Sequence, residues 1–228
     1  MLLCIGGAHA QKRGGEQIIR AYPSIGATAS QIGGDELKGY DKWGFTAGVG
    51  AAVKLSQSDK WHLSLEADFS QRGASNRTNN PYSLLYFSLN YVDIPLTIHF
   101  TDPWGGITIG TGLVYSRLVQ QPHGLILYSN NFVPDTSDMT FLRNDVAAAI
   151  DVRFPIWRGL TFNIRYQHSL FPVKRDWHFH GYRNESDHNP SDWSNNCYNS
   201  SVSIRLLYLF GTDDSHYKKQ KKHNKKQR

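Results

Sequence analysis

Residues 160–169 read Leu160-Thr161-Phe162-Asn163-Ile164-Arg165-Tyr166-Gln167-His168-Ser169. Leu160, Phe162, Ile164, Tyr166 and His168 fall on one face of an extended chain, and Thr161, Asn163, Arg165, Gln167 and Ser169 fall on the other. The period of two returns in Val202, Ile204, Leu206, Tyr208 and Phe210 against Asn199, Ser201, Ser203 and Arg205. It returns in Trp61, Leu63, Leu65, Ala67 and Phe69 against His62, Ser64, Glu66, Asp68 and Ser70. Val146, Ala148, Ile150, Val152 and Phe154 alternate in the same way with Asp145, Ala147, Ala149, Asp151 and Arg153.

Working outward from these segments, strands are predicted over 22–31, 43–55, 61–71, 87–100, 106–117, 144–154, 160–170 and 198–210. The connections 32–42, 72–86, 118–143 and 171–197 are long, whereas 56–60, 101–105 and 155–159 are short. A soluble sandwich has no reason to place every long loop at one end. A barrel crossing a bacterial outer membrane does, with long loops outside, short periplasmic turns and an even strand count. Several segments also exceed the five or six residues of an ordinary soluble strand and match the roughly nine to eleven needed to cross a bilayer at a tilt. The expected fold is all-β: an eight-stranded antiparallel up-and-down transmembrane β-barrel with four long outer loops and three short periplasmic turns.

In such a barrel the apolar face meets lipid and the polar face lines the lumen. Glu66, Asp68, Asp93, Asp151, Arg153, Arg165 and Arg205 then form a luminal charge network, with the arginines neutralising the carboxylates. Gly and Ala at inner positions of the second, fifth and sixth strands are expected to make room for the long arginines, the alternative being small pockets. Trp43, Trp61, Phe100, Trp104, Trp157 and Phe210 lie near strand ends or in short turns and are expected to form aromatic girdles at the headgroup layers. Pro95 removes a ladder donor within the fourth strand, so a local bulge is expected there.

The 228 residues fit one domain. Ala8-His9-Ala10 has the small-x-small form of a signal-peptidase site after a short apolar run, so 1–10 reads as the end of a signal peptide and 11–211 as the barrel. Residues 218–228 carry seven Lys and Arg and no acid, leaving 18 basic against 19 acidic residues before them. The net basicity therefore belongs to the tail, and 212–228 is expected to be a disordered basic segment in the periplasm. A periplasmic tail has no nucleic acid to bind; anionic lipid or cell-wall carboxylates are the expected partners.

Leu65-Glu66-Ala67-Asp68-Phe69-Ser70-Gln71-Arg72-Gly73, followed by Leu89-Asn90-Tyr91-Val92-Asp93-Ile94-Pro95-Leu96, resembles the paired E-x-x-F-S-Q-+-G and Y-V-E/D-I-P-L signature of the PorT-like outer-membrane β-barrel proteins of Bacteroidetes. Ile25-Gly26 and the run from Ser30 to Phe45 look like that family's first hairpin. The resemblance covers about 22–210. It implies the barrel fold and an outer-membrane location; the secretion role of the family's namesake is not transferred by these motifs. Ile204-x-Leu206-x-Tyr208-x-Phe210 resembles the C-terminal signal read by the outer-membrane barrel assembly machinery, although here Gly211 to Arg228 follow.

His178, His180, Glu185, Asp187 and His188 supply metal-ligand residue types near Asp176 and Trp177, but their spacing matches no structural zinc pattern. No metal, cofactor or catalytic residue is assigned, since no nucleophile-elbow motif appears. Eight strands enclose an interior that side chains fill, which disfavours a solute channel. The expectation is a monomeric, non-enzymatic protein embedded in outer-membrane lipid, acting in surface binding or envelope structure through its outer loops. A secretion or assembly accessory and a lipid- or peptide-processing enzyme are the alternatives.

Overall fold

The computed structural model describes residues 12–13, 16–35, 39–55, 60–75, 84–128, 132–134, 140–181 and 189–210. Eight long strands run β1 (Ile19–Gly33), β2 (Lys42–Lys54), β3 (Trp61–Ser75), β4 (Leu84–Thr101), β5 (Thr108–Tyr128), β6 (Asn144–Trp157), β7 (Leu160–Ser169) and β8 (Ser191–Tyr208). Each pairs antiparallel with its chain neighbours, and β8 pairs with both β7 and β1. The sheet closes on itself as an eight-stranded up-and-down barrel, which leaves the eight strands no free edge within the membrane. The register Ser203↔Thr28 on one side of β8 and Ser203↔Arg165 on the other places these three inner side chains on one level.

Outer faces follow the period-two reading. Ile25, Val49, Leu65, Leu96, Ile109, Leu113, Ile150, Ile204 and Leu206 are exposed, while Ser64, Glu66, Asp68, Thr97, Asp151, Asn163, Arg165 and Arg205 are buried. Apolar side chains outside and charges inside suit a protein whose solvent is lipid.

Two expectations need correction. Pro95 lies in continuous register with β5, opposite Val114, and the β3–β4 register is the same above and below it. No extra residue is inserted; the ladder to β3 simply lapses between Leu65↔Leu96 and Asp68↔Asp93. The missing N–H faces β3, so that pair alone loses a bond. Register shifts fall instead between Tyr86 and Tyr91 on the β4–β5 side.

The second correction concerns length. β5 has 21 residues and β4 and β8 have 18 each, so the regions read as long loops are partly strand. Beyond the end of β7, Lys174–Gly181 pairs with β8 and with Phe132–Pro134, forming a ribbon above the outer end of the barrel. The turn after β6 shrinks to Arg158–Gly159, both with positive φ (36° and 88°), the conformation of a type I′ hairpin.

Polarity inverts along the barrel axis. Ile32, Phe87, Leu89, Leu118, Phe141, Trp177, Phe179 and Cys197 form a buried apolar cluster at the outer end. Arg175, Asp176, His178 and His180 of the ribbon are exposed there. Above the membrane the surroundings are water, and the strands revert to an apolar interior with a polar surface.

Candidate functional site

Glu66 on β3 is the hub of the lumen. Its Oε1 accepts bonds from Arg165 on β7 at 2.7 Å, Arg153 on β6 at 2.9 Å and the Tyr22 hydroxyl on β1 at 3.0 Å. Its Oε2 accepts from Arg205 on β8 at 2.8 Å. Arg205 also donates to Asp68 at 3.0 Å and to the Asn163 side-chain oxygen at 2.9 Å. Arg165 donates to Asp151 at 2.8 Å. Three carboxylates and three guanidiniums on four strands thus share one layer, and the Tyr22 hydroxyl ties in β1 as a fifth, all through charge-assisted bonds.

His99 extends this layer. Its Nε2 lies 2.8 Å from Asp151 Oδ1 and its Nδ1 lies 3.4 Å from the Ser64 hydroxyl. Gly110 stands between His99 and Asp151 in the register, and a Cβ there would lie 2.2 Å from His99 Cδ2. The inner glycines expected to accommodate arginines instead admit other groups: Gly110 clears His99, and Gly50 faces the Tyr22 ring.

Asp93 does not join the arginines of the lower layer. It pairs with Arg72, which reaches it along the same wall, and it accepts a bond from Ser70 at 2.8 Å. Arg72 in turn lies over the Tyr91 ring, 5.0 Å from its centroid. Nearby, Asp145 accepts bonds from Ser169 at 2.7 Å and Asn199 at 3.1 Å. Tyr22, Arg72 and His99 do not figure in the luminal network expected from sequence, and Asp145, although on the inner face of its strand, is not placed in it. The inner parity of their strands is the signal that would have found them.

Trp61, Phe100, Trp104, Trp157 and Phe210 gather at the periplasmic end, where Trp61 and Phe100 pack at 5.1 Å, while Trp43 lies at the opposite end. The outer rim is richer in tyrosine: the Tyr40 hydroxyl lies 2.6 Å from Ser200 Oγ, which donates to the Tyr166 hydroxyl at 3.3 Å. Ile204, Leu206 and Tyr208 project outward from β8; Phe210 follows it, its N–H bonded to the Ala21 carbonyl at 2.9 Å.

On the outer ribbon, His180 Nδ1 lies 2.6 Å from Asp192, and both are exposed. Glu185, Asp187 and His188 lie outside the described residues, as do the segment 1–10 and the tail 212–228. Among the described residues, no three metal-ligating side chains converge. Ser64, His99 and Asp151 contain the residue types of a hydrolytic triad, but all three are sealed in the lumen with relative exposures of 0, 1 and 0 %.

A closed eight-stranded barrel with a lipid-facing apolar exterior and a paired, charged interior is an integral outer-membrane β-barrel of a bacterium, and this chain is one. No protein-family model matches the chain and no curated protein matches it. Among solved structures it is similar to Neisserial surface protein A, at 10 % identity over 82 % of this chain and 96 % of that one, with a TM-score of 0.46. It is similar to Ail, the attachment invasion locus protein of Yersinia pestis, at 12 % identity over 84 % of this chain and 98 % of that one, TM-score 0.42. The outer membrane protein OprG from Pseudomonas aeruginosa shares 15 % identity over 85 % of this chain and 95 % of that one, TM-score 0.38.

Proposed function

We propose that this protein is a monomeric, non-enzymatic member of the PorT-like barrels whose outer end is a surface-binding or envelope-structural platform. The polarity inversion carries this reading. Trp177 packs at 5.1 Å on Phe179, which stacks on Trp193 at 5.9 Å, so the ribbon rests on a folded aromatic core. Such a base holds Arg175, His178, His180 and Asp192 in a fixed array facing outward, the preorganisation that a binding surface requires. The ionic layer spanning the lumen below argues against transport of solutes through the barrel.

In this reading Ile204, Leu206, Tyr208 and Phe210 are recognised by the barrel assembly machinery, and the basic tail holds anionic lipid or the cell wall reversibly. The test is deletion of the gene with complementation by a variant carrying Arg175→Ser, His178→Ser, His180→Ser and Asp192→Ser. Surface and secreted proteins are then compared by quantitative mass spectrometry. Loss of surface components in both the deletion and the variant supports the platform. A secretion defect in the deletion that the variant fully restores supports the secretion-accessory alternative, and a variant indistinguishable from wild type in every fraction removes the platform.

A further inference from the structure

The outer surface of β5 and β6 breaks its own rule at one height. Reading upward, the cross-strand pairs are Leu113↔Ala148, Tyr115↔Val146 and Arg117↔Asn144. Leu118 N–H then bonds the Arg143 carbonyl, which aligns the next outward pair, Val119 and Leu142. Val119 and Leu142 are 55 and 45 % exposed, so apolar surface continues above the arginine as well as below it. Leu170, whose N–H bonds the Val146 carbonyl, adds exposed apolar surface on the β7 side.

Arg117 and Arg143 are both exposed, and no carboxylate pairs with either among the described residues. Arg117 and the Tyr115 hydroxyl donate to the same oxygen of Asn144, which orients the guanidinium and leaves its other N–H groups free to point outward. Arg117 lies eight residues above Ile109 on β5, about 20 Å at strand rise and barrel tilt, toward the outer end of the barrel. An arginine that had merely strayed onto a lipid-facing wall would be flanked above by water and polar residues. This one is bracketed by aliphatic side chains.

We propose that Arg117, Arg143, Asn144 and Tyr115 form a binding site for the phosphate group of an anionic outer-leaflet glycolipid, with its acyl chains lying along Leu113, Val146 and Leu170. A guanidinium fork matches phosphate geometry with paired N–H donors, and the oriented Arg117 in an apolar frame, with the exposed Arg143 next in the chain to its Asn144 anchor, suits a charged head joined to hydrocarbon. The inference rests on the outer-membrane location and is independent of what the outer platform binds.

The experiment is native mass spectrometry of the full chain released from detergent, after incubation with a diphosphorylated lipid A, with the same lipid dephosphorylated, or with inorganic phosphate. The wild type is expected to retain the phosphorylated lipid. The Arg117→Gln/Arg143→Gln variant should retain it about thirtyfold less, on the order expected for two basic side chains at an anionic surface. Arg158→Gln at the periplasmic end should retain it normally, and heat-modifiability on gels checks that all variants are folded. Equal retention by wild type and the double variant overturns the site. Equal retention of the dephosphorylated lipid shows that acyl contact alone is sufficient, and competition by millimolar inorganic phosphate makes this a free-anion site; either result overturns the lipid-phosphate assignment.

Discussion

Glu66 on β3 and Arg165 on β7 meet at 2.7 Å although four strand positions separate them around the ring, so a single ion pair joins opposite walls of the barrel. Both side chains are buried, at 0 and 2 % exposure, and neither can recover hydration if the other is lost. Truncating one member of such a pair typically costs about 3–5 kcal/mol, because the remaining charge is stranded. Arg165→Ala should therefore lower markedly the temperature at which the folded, fast-migrating band disappears on a gel. An unchanged transition would mean that the lumen is hydrated enough to screen Glu66.

Gly110 makes a sharper test of the same layer. Alanine there brings a Cβ to 2.2 Å from His99 Cδ2 and 2.8 Å from Asp151 Oδ1. Overpacking of this kind costs about 1–3 kcal/mol. Combining Gly110→Ala with His99→Ala should return part of that loss, a non-additivity readable in urea titrations of the refolded barrel. Strict additivity would place the clash elsewhere.

The β6–β7 hairpin depends on two residues with positive φ. Gly159→Ala should destabilise the barrel by about 1–2 kcal/mol, the usual cost of a Cβ in the left-handed region. Arg158→Asn should be tolerated, since asparagine enters that region more readily than most residues. Refolding into lipid vesicles monitored by gel shift gives the comparison, and a Gly159→Ala protein as stable as wild type would show that the turn relaxes to another form.

Sidedness follows from the ribbon. His180 is exposed at the outer end, whereas Trp104 lies in the turn joining β4 to β5 at the opposite end. On intact cells, a membrane-impermeant maleimide should label His180→Cys and spare Trp104→Cys, with modified positions mapped by mass spectrometry. Cys197, at 0 % exposure in the apolar cluster, should react in both only after denaturation. Labelling of residue 104 from outside would reverse the topology.

The strand segments and the two faces were legible in the chain itself, because pleating makes side-chain direction a strictly local property. Alternating long and short connections were also local, and they pointed to a membrane barrel before any contact was known. The partners inside the lumen were not legible. Glu66 and Arg165 are 99 positions apart, and their meeting depends on closure and on the stagger of every intervening strand. Asp93 shows the limit well: its luminal direction was readable, but its pairing with Arg72 rather than Arg153 or Arg205 is set by its level along the barrel.

The outer end shows a second limit. Phe87, Phe141, Trp177 and Phe179 lie in or beside segments that read as polar loops, and their shared burial arises from bringing β4, the approach to β6 and the ribbon together. Sequence periodicity identifies an apolar face without naming its solvent. Local chemistry determined which side chains share a face; only the closed tertiary structure decided where lipid ends and water begins, because that boundary is a height along the barrel axis and no single strand carries it.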